Sequence, residues 1–390
     1  MRKNNNFKKQ KDCRLFSLSL LLFLIAIIIL GLTVNSSPTL WVAATAATAA
    51  DDATDVDKDV DKDKDEEDKK EEITRENILS KISLAAQWLS EKQRPDGSWP
   101  IVTQDKRSSV VATGLFALGI FGQKDNNHRS NRSRDKGEGD YQNYLLPALT
   151  VLPDTQKALS FLLAHQEEEG YWEDPSSFPW NEVEATIAAL YGLISVGYEG
   201  TALNQGMDWL IKNQEPNGSW NDDCWDTSWA LYLLYRYNYS TSDPIIQAAA
   251  QWLAEDQRKS GSWKSDLSHL KRFEPLWTTP PAIFALAQTD QYQDNLVKGL
   301  EYLKEEQNKN GSFGRKDASK TGLALMAFCS LSHYPDLLAE YKPSAEKAVQ
   351  WFLSNQRASG TWPGGFHTFD IIDTSFSIWG LNKFLSSIFF

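Results

Sequence analysis

The chain contains few of the residues that build metal, redox and nucleotide sites. Its 390 residues include only 3 cysteines and 5 histidines, and no two histidines have the spacing of a metal-ligand pair. It also lacks the glycine-rich loops of dinucleotide-binding and P-loop proteins and the GxSxG turn of many serine hydrolases. We therefore expect neither a cofactor nor a metal ion.

A surplus of basic residues is also absent. The net charge is −12, and a negative surface disfavours nucleic acid as a partner. Cys224 and Cys329 do not have the spacing of a disulfide framework, which predicts free, buried thiols. Export of the chain would still allow the two cysteines to form a disulfide.

An uncharged apolar run of 20 residues occupies positions 15–34, after six basic residues. This length is enough to cross a bilayer, with the basic flank on the cytoplasmic side. Small residues at 44–49 offer sites for signal peptidase, so a cleaved signal peptide and a retained membrane anchor both fit. Either one predicts an extracytoplasmic protein, secreted or anchored in the membrane by residues 15–34.

An acidic segment follows at 51–73. Its 13 acidic residues and 5 lysines give a net charge of −8, with almost nothing to bury, which predicts a disordered linker. We therefore expect three regions: a signal peptide or membrane anchor at 1–50, the linker at 51–73 and one helical domain at 74–390.

A seven-residue motif recurs through that domain. A glutamine is followed four residues later by glycine and two residues after that by an aromatic residue. Successive copies begin 43 to 73 residues apart, and recurrence at such a spacing indicates a repeat architecture. The six copies, called motif turns below, are residues 93–99, 166–172, 214–220, 257–263, 307–313 and 356–362.

Each motif turn joins two helical patterns of different character. An amphipathic pattern with one apolar stripe comes before it, and a pattern that is apolar nearly all round comes after it. Six such pairs predict an all-α fold, an α6/α6 toroid with six inner helices inside six outer ones. We expect the glycine to supply a positive φ, and the glutamine amide to bond free N–H groups at the start of the inner helix.

The repeat resembles the QW motif of the squalene and oxidosqualene cyclases over residues 74–390. The helix pairing also resembles that of the protein prenyltransferase β subunits, whose zinc site needs Asp, Cys and His together. Asp222 and Cys224 match part of that zinc site, but Asp373 stands where the histidine is expected. The resemblance therefore implies the toroid fold and an isoprenoid-like apolar ligand, without zinc.

Class II cyclases of this kind start their reaction with an aspartic acid that is kept neutral in an apolar cavity. Their DxDDTA motif resembles DCWDTS at 223–228, with Trp225 in place of the aspartate that donates the proton. The resemblance leaves Asp226 as the best candidate for a general acid, with Asp223 and Asp373 as further catalytic candidates. The other interpretation is structural, because an aspartate at a helix N-terminus stabilises the helix dipole.

Five further side chains are candidates for lining a cavity near Asp226. Aromatic faces there would stabilise a carbocation by cation–π attraction, and ordinary core packing is the alternative. The five residues are Glu184, Trp225, Trp229, Trp277 and Phe376.

Two hypotheses for function follow from these patterns. The first is an exported terpene-cyclase-like toroid that binds an isoprenoid or similar apolar ligand, with or without cyclase or mutase activity. The second is a non-catalytic extracytoplasmic toroid that carries another small molecule or binds a protein partner. An open apolar centre would favour the first, and a centre filled by side chains would favour the second.

Overall fold

Helices alternate along the chain between two burial patterns, one buried on a single stripe and one buried nearly throughout. The computed structural model describes residues 71–121, 150, 153–265, 275–364 and 370–388. The partly buried helices are α1 Arg75–Ser90, α3 Thr155–Ala164, α5 Thr201–Lys212, α7 Pro244–Asp256, α9 Gln293–Glu306 and α11 Pro335–Asn355. The buried elements are α2, which is π-helical over Ala112–Leu118 and α-helical over Gly119–Phe121, α4 Glu182–Ser195, α6 Cys224–Arg236, α8 Pro275–Leu286, α10 Ala318–Cys329 and α12 Asp370–Ile388.

Burial separates the two sets as the sequence pattern predicts. Helix α9 buries only Leu296, Gly299, Leu300 and Leu303, whereas α10 buries all of its residues. A helix that is apolar on every side must be enclosed by others. The first set therefore forms an outer layer, and the second set forms an inner one.

The two layers close into a ring. Inner helices pack on their neighbours in sequence, and α12 packs on α10, α2 and α1. The side chain of Gln356, in the last motif turn, donates to the Lys81 carbonyl oxygen of α1 at 2.8 Å. The predicted all-α toroid is confirmed, and within the ranges described above no residue belongs to a β-strand.

The glycine of each motif turn adopts the predicted positive φ, between +86° and +100°. At Gly311, a Cβ atom would also lie 2.0 Å from the Lys347 carbonyl oxygen of the next outer helix. Two constraints therefore require glycine: the left-handed backbone and the close approach of α11.

The motif glutamine works differently from the prediction. Its amide nitrogen donates to the carbonyl oxygen of its own motif glycine and to a carbonyl oxygen of the next outer helix, or of the residue just before that helix. At Gln93 the amide oxygen also accepts from the backbone N–H of Asp154, which caps α3. The expected bond to the inner helix is wrong, because the turn places the glutamine between successive outer helices.

The motif tryptophans join each turn to its own outer helix. In five repeats the indole Nε1 donates to a carbonyl oxygen ten residues earlier, at 2.7 or 2.8 Å. These rings are buried, and each bond occupies a carbonyl near the end of the helix, where intrahelical partners run out.

Several predictions concern residues outside the described ranges. The apolar run at 15–34, the small residues at 44–49 and the acidic residues up to 70 all lie there. Among the helices that the structure describes, none is both long and apolar enough to cross a membrane.

Candidate functional site

A threonine fixes the register of five inner helices against their motif turns. The backbone N–H of the motif aromatic residue donates to the threonine hydroxyl at 2.9 to 3.1 Å. The five residues are Thr113, Thr186, Thr227, Thr279 and Thr321. The residues that come one and two positions before each threonine are therefore equivalent, and they lie at the end of the toroid where inner helices begin, called the rim below.

Asp226 precedes Thr227 at the rim and is completely buried. Its Oδ2 accepts hydrogen bonds from the side-chain amides of Asn181, at 3.0 Å, and Asn221, at 2.7 Å. Its Oδ1 is buried without a partner. Burial raises the pKa of Asp226 well above its usual range, and the nearby Glu184 and Asp223 add to the shift.

The hydrogen bonds determine where a neutral Asp226 carries its proton. Because Oδ2 accepts from two N–H groups, the proton belongs on Oδ1. Since no acceptor in the protein takes that proton, Asp226 has the form of a buried acid that can donate it. Asn221 reaches Asp226 from a left-handed backbone, with φ of 55°, which asparagine tolerates.

Glu184 is joined to Asp226 through Asn181. Its Oε2 accepts from the backbone N–H of Asn181, whose side-chain oxygen accepts in turn from the backbone N–H of Glu184, forming a capping box on α4. Burial raises the pKa of Glu184 to about 8, opposed by the Asn181 hydrogen bond and by a side-chain bond from Trp225. Glu184 and Trp225 both come two residues before a register threonine, in adjacent repeats.

Asp223 caps α6, and both of its carboxylate oxygens accept hydrogen bonds. Oδ1 accepts from the backbone N–H of Trp225 at 2.8 Å, and Oδ2 accepts from the Ser265 hydroxyl at 2.7 Å. This is the usual role of an aspartate at a helix N-cap. The structure thus brings Asp223 close to Asp226 but gives it a capping function.

Asp373 lies in a separate part of the rim. It accepts a short hydrogen bond from the Ser319 hydroxyl at the start of α10, and burial with the nearby Asp317 raises its pKa well above the usual range. The groups that shift the pKa of Asp226 belong to α4 and α6 and the loops before them. The structure therefore does not join these two carboxyl groups into one site.

Four predicted aromatic side chains meet in the middle of the toroid. The Trp225 ring lies 5.7 Å from Trp229 and 6.4 Å from Trp277, and the Phe376 ring lies 6.3 Å from Trp229 and 6.0 Å from Trp277, measured between centroids. Trp379, which the sequence reasoning missed, lies 6.1 Å from Trp229. These five rings are called the aromatic centre below.

The aromatic centre fills the axis of the ring at its own level. Trp229 is on α6 and Phe376 and Trp379 are on α12, and these helices are separated by two inner helices in either direction around the ring. Contact between their rings therefore crosses the axis. Side chains from α2 and α4 complete the contacts, with Phe116 5.2 Å from Phe376 and Tyr191 5.2 Å from Trp379.

The two cysteines in this domain are free and buried, as predicted. Burial raises the pKa of Cys224 well above its usual value and that of Cys329 to about 12, so both thiols stay protonated and unreactive. Among the residues that the structure describes, no three potential ligands are grouped in a way that could hold a metal ion.

Comparison with solved structures identifies the architecture. The type II terpene cyclase MstE from Scytonema matches with a TM-score of 0.57 at 14% identity, over 79% of this chain and 98% of that chain. The chain has a terpene-cyclase-like toroid fold. A protein from Actinoplanes also matches, with a TM-score of 0.56 at 15% identity, over 78% of this chain and 99% of that chain.

The same fold occurs in proteins of other activities. A glycosyl hydrolase of family 88 from Bacteroides vulgatus matches with a TM-score of 0.52 at 11% identity, over 79% of this chain and 98% of that chain. Such distant likeness establishes the fold alone.

Sequence comparison gives a narrower match. The lanosterol synthase of Pneumocystis carinii is 24% identical over 180 residues, which span 42% of this chain but only 22% of the synthase. No family model matches the chain.

Proposed function

We propose that this toroid binds an isoprenoid or similar apolar molecule against its aromatic centre. The observation that carries the proposal is Asp226, a completely buried acid whose Oδ1 has no partner in the protein, on the same helix as Trp225 and Trp229 of the aromatic centre. Solved structures of MstE, whose fold is similar, contain geranylgeranyl dihydroxybenzoate as substrate and merosterolic acid A as product. Binding to this chain requires the rings to rotate aside, and they would then cover both faces of the ligand.

The proposal includes a proton-initiated reaction with Asp226 as the acid. The Oδ1 proton of Asp226 passes to one carbon of an alkene, and the π electrons form the new C–H bond. The cation that forms at the other carbon is stabilised by the faces of the neighbouring rings. A second alkene of the same ligand then attacks the cation, and loss of a proton to Asp226 restores the acid and gives an isomer of the substrate.

The test is incubation of the full chain with squalene and with geranylgeraniol, followed by mass spectrometry of the extracted lipids. We expect a cyclised isomer from the unaltered protein and none from Asp226→Asn, which keeps the shape of the side chain but lacks an acidic proton. Asp373→Asn is the matched control, because this residue lies in another part of the rim. Recovery of both substrates unchanged would contradict the catalytic part of the proposal.

A non-catalytic binding or scaffold toroid is the second candidate. Two observations favour it: the rings fill the axis, and Trp225 stands where the related cyclases have their proton donor. In that case native mass spectrometry of protein purified from its host should show a bound small molecule or protein partner, while squalene is returned unchanged.

We also propose that the domain acts outside the cytoplasm, on the basis of the apolar run at 15–34 and the basic residues before it. The full chain should be recovered from the membrane or the medium, and a chain without residues 15–34 should remain in the cytoplasm. Equal cytoplasmic recovery of both would contradict export.

A further inference from the structure

Three side chains in the middle of the toroid bury polar atoms that have no hydrogen-bond partner. They are the indole nitrogens of Trp229 and Trp379 and both amide atoms of Asn382. The three residues are 3%, 7% and 8% exposed, respectively. A buried donor or acceptor without a partner costs about 1 to 3 kcal/mol, so a cluster of them requires an explanation.

The three residues are neighbours. The rings of Trp229 and Trp379 lie 6.1 Å apart between centroids. Asn382 follows Trp379 by three residues on α12, a spacing that places two side chains next to each other on a helix surface. Trp379 is therefore a neighbour of both Trp229 and Asn382, which brings the three side chains into one cluster.

The rest of the molecule shows how this chain normally treats a buried indole. Each of the five motif tryptophans donates its Nε1 to a backbone carbonyl oxygen at 2.7 or 2.8 Å. Trp229 and Trp379 are also buried, yet their N–H groups have no acceptor in the protein, as is the case for Trp351 on α11. Trp229 and Trp379 differ from Trp351 in lying together on the axis, where one ligand would supply the missing acceptor.

We propose that Trp229, Trp379 and Asn382 form a recognition site for one uncharged oxygen atom on the apolar ligand. The inference rests on the proposed function. Two indole N–H groups and the amide NH₂ donate, and the amide oxygen accepts. A hydroxyl matches this set best, since its oxygen accepts two hydrogen bonds and its hydrogen is donated to Asn382.

The same chemistry disfavours a charged headgroup. The indole and amide groups carry no net charge, and a buried anion without a countercharge is far more costly than a buried hydroxyl. Two cations lie in the vicinity: Lys383 follows Asn382, and Arg236 lies 5.7 Å from the Tyr191 ring, which is 5.2 Å from Trp379. The three uncharged side chains therefore select an isoprenoid alcohol over the hydrocarbon, and comparison with the diphosphate tests whether the two cations bind an anion instead.

The test compares the affinities of geranylgeraniol, the C20 hydrocarbon that lacks its hydroxyl, and geranylgeranyl diphosphate for the full chain. We expect the alcohol to bind at least about tenfold tighter than the hydrocarbon, as one or two buried hydrogen bonds would give. In Asn382→Leu, and in Trp229→Phe, this preference should fall toward one, because each variant removes a polar group that only the alcohol uses. Trp220→Phe, which removes a motif indole, should leave the preference unchanged.

Each outcome has a defined meaning. An equal affinity of the unaltered chain for alcohol and hydrocarbon, a preference that survives both variants, or tighter binding of the diphosphate would overturn the recognition site. All three leave the proposed binding of an apolar molecule standing. Failure of every probe to bind the unaltered chain would instead reject the proposed function itself. Trp229→Phe keeps the test decisive if Asn382→Leu does not fold, because it breaks no hydrogen bond within the protein, and Trp220→Phe controls for the lost ring atoms.

Discussion

The motif turns and the aromatic centre are both rich in tryptophan, but their polar groups differ. In the motif turns, the indole bonds its own outer helix and the glutamine bonds the next one. In the centre, the N–H groups of Trp229 and Trp379 have no partner. The difference teaches that the repeated residues hold the toroid together, while the indoles at its centre keep N–H groups that no protein atom uses.

The largest expected effect is the loss of a motif glycine. Gly311→Ala should lower the free energy of unfolding by about 4 kcal/mol, because the new Cβ meets a backbone oxygen at a positive φ. Gly314→Ala is the matched control in the same loop. Its φ is +56°, but its nearest neighbour is the flexible Lys320 side chain, so we expect a loss of about 1 kcal/mol. Equal losses in urea unfolding would show that the close approach of α11 is unimportant.

The pH dependence of stability tests the burial of Glu184 at the rim. Glu184 has a pKa raised from 4.5 to about 8, so between these values the native state holds a proton that the unfolded chain has released. The stabilising contribution of Glu184 should therefore be fully present below pH 4.5. As the pH rises from 4.5 toward 8, this residue should lower the free energy of unfolding by up to about 1.4 kcal/mol per pH unit.

Glu184→Gln should flatten that decline, as measured by urea unfolding at pH 5, 6, 7 and 8. Glu182→Gln, an exposed change in the same first turn of α4, should leave the slope as it was. An unchanged slope in both variants would mean that Glu184 is ionised in the folded protein.

The difference between two Trp→Phe variants gives the smallest effect and the most direct contrast between the two regions. Both variants lose part of a buried indole ring, but only Trp220→Phe also leaves a carbonyl, that of Leu210, without its partner. Trp220→Phe should therefore cost about 1 to 2 kcal/mol more than Trp229→Phe, whose N–H has no partner to lose. Thermal unfolding of both variants without ligand checks the order, and a larger loss at Trp229 would contradict the distinction.

The fold could be predicted from the sequence because each repeat contains the same local structural signals. A glycine at a positive φ, an amphipathic helix before it and an apolar helix after it are local features, and six copies leave few alternatives. The partner of the motif glutamine was predicted wrongly, because the distance to the next outer helix depends on how repeats pack, which one repeat does not contain.

The candidate site was less accessible to prediction. Asp226 and Asp373 stand in equivalent positions before Thr227 and Thr374, yet only the structure shows that the first receives two asparagine amides and the second a serine hydroxyl. Trp379 and Asn382 were missed because they sit deeper along α12 than the conspicuous residues at its start. Their spacing of three residues from Phe376 onward was the available signal.

The central claim, that the aromatic centre binds an apolar ligand, is tested most directly by photo-crosslinking. The full chain would be labelled with a geranylgeraniol analogue carrying a diazirine, in competition with unlabelled geranylgeraniol, and the labelled peptides identified by mass spectrometry. We predict saturable labelling of α6 and α12, in the segments that contain Trp229 and Trp379. Labelling confined to the outer helices, or labelling that geranylgeraniol does not displace, would contradict the account.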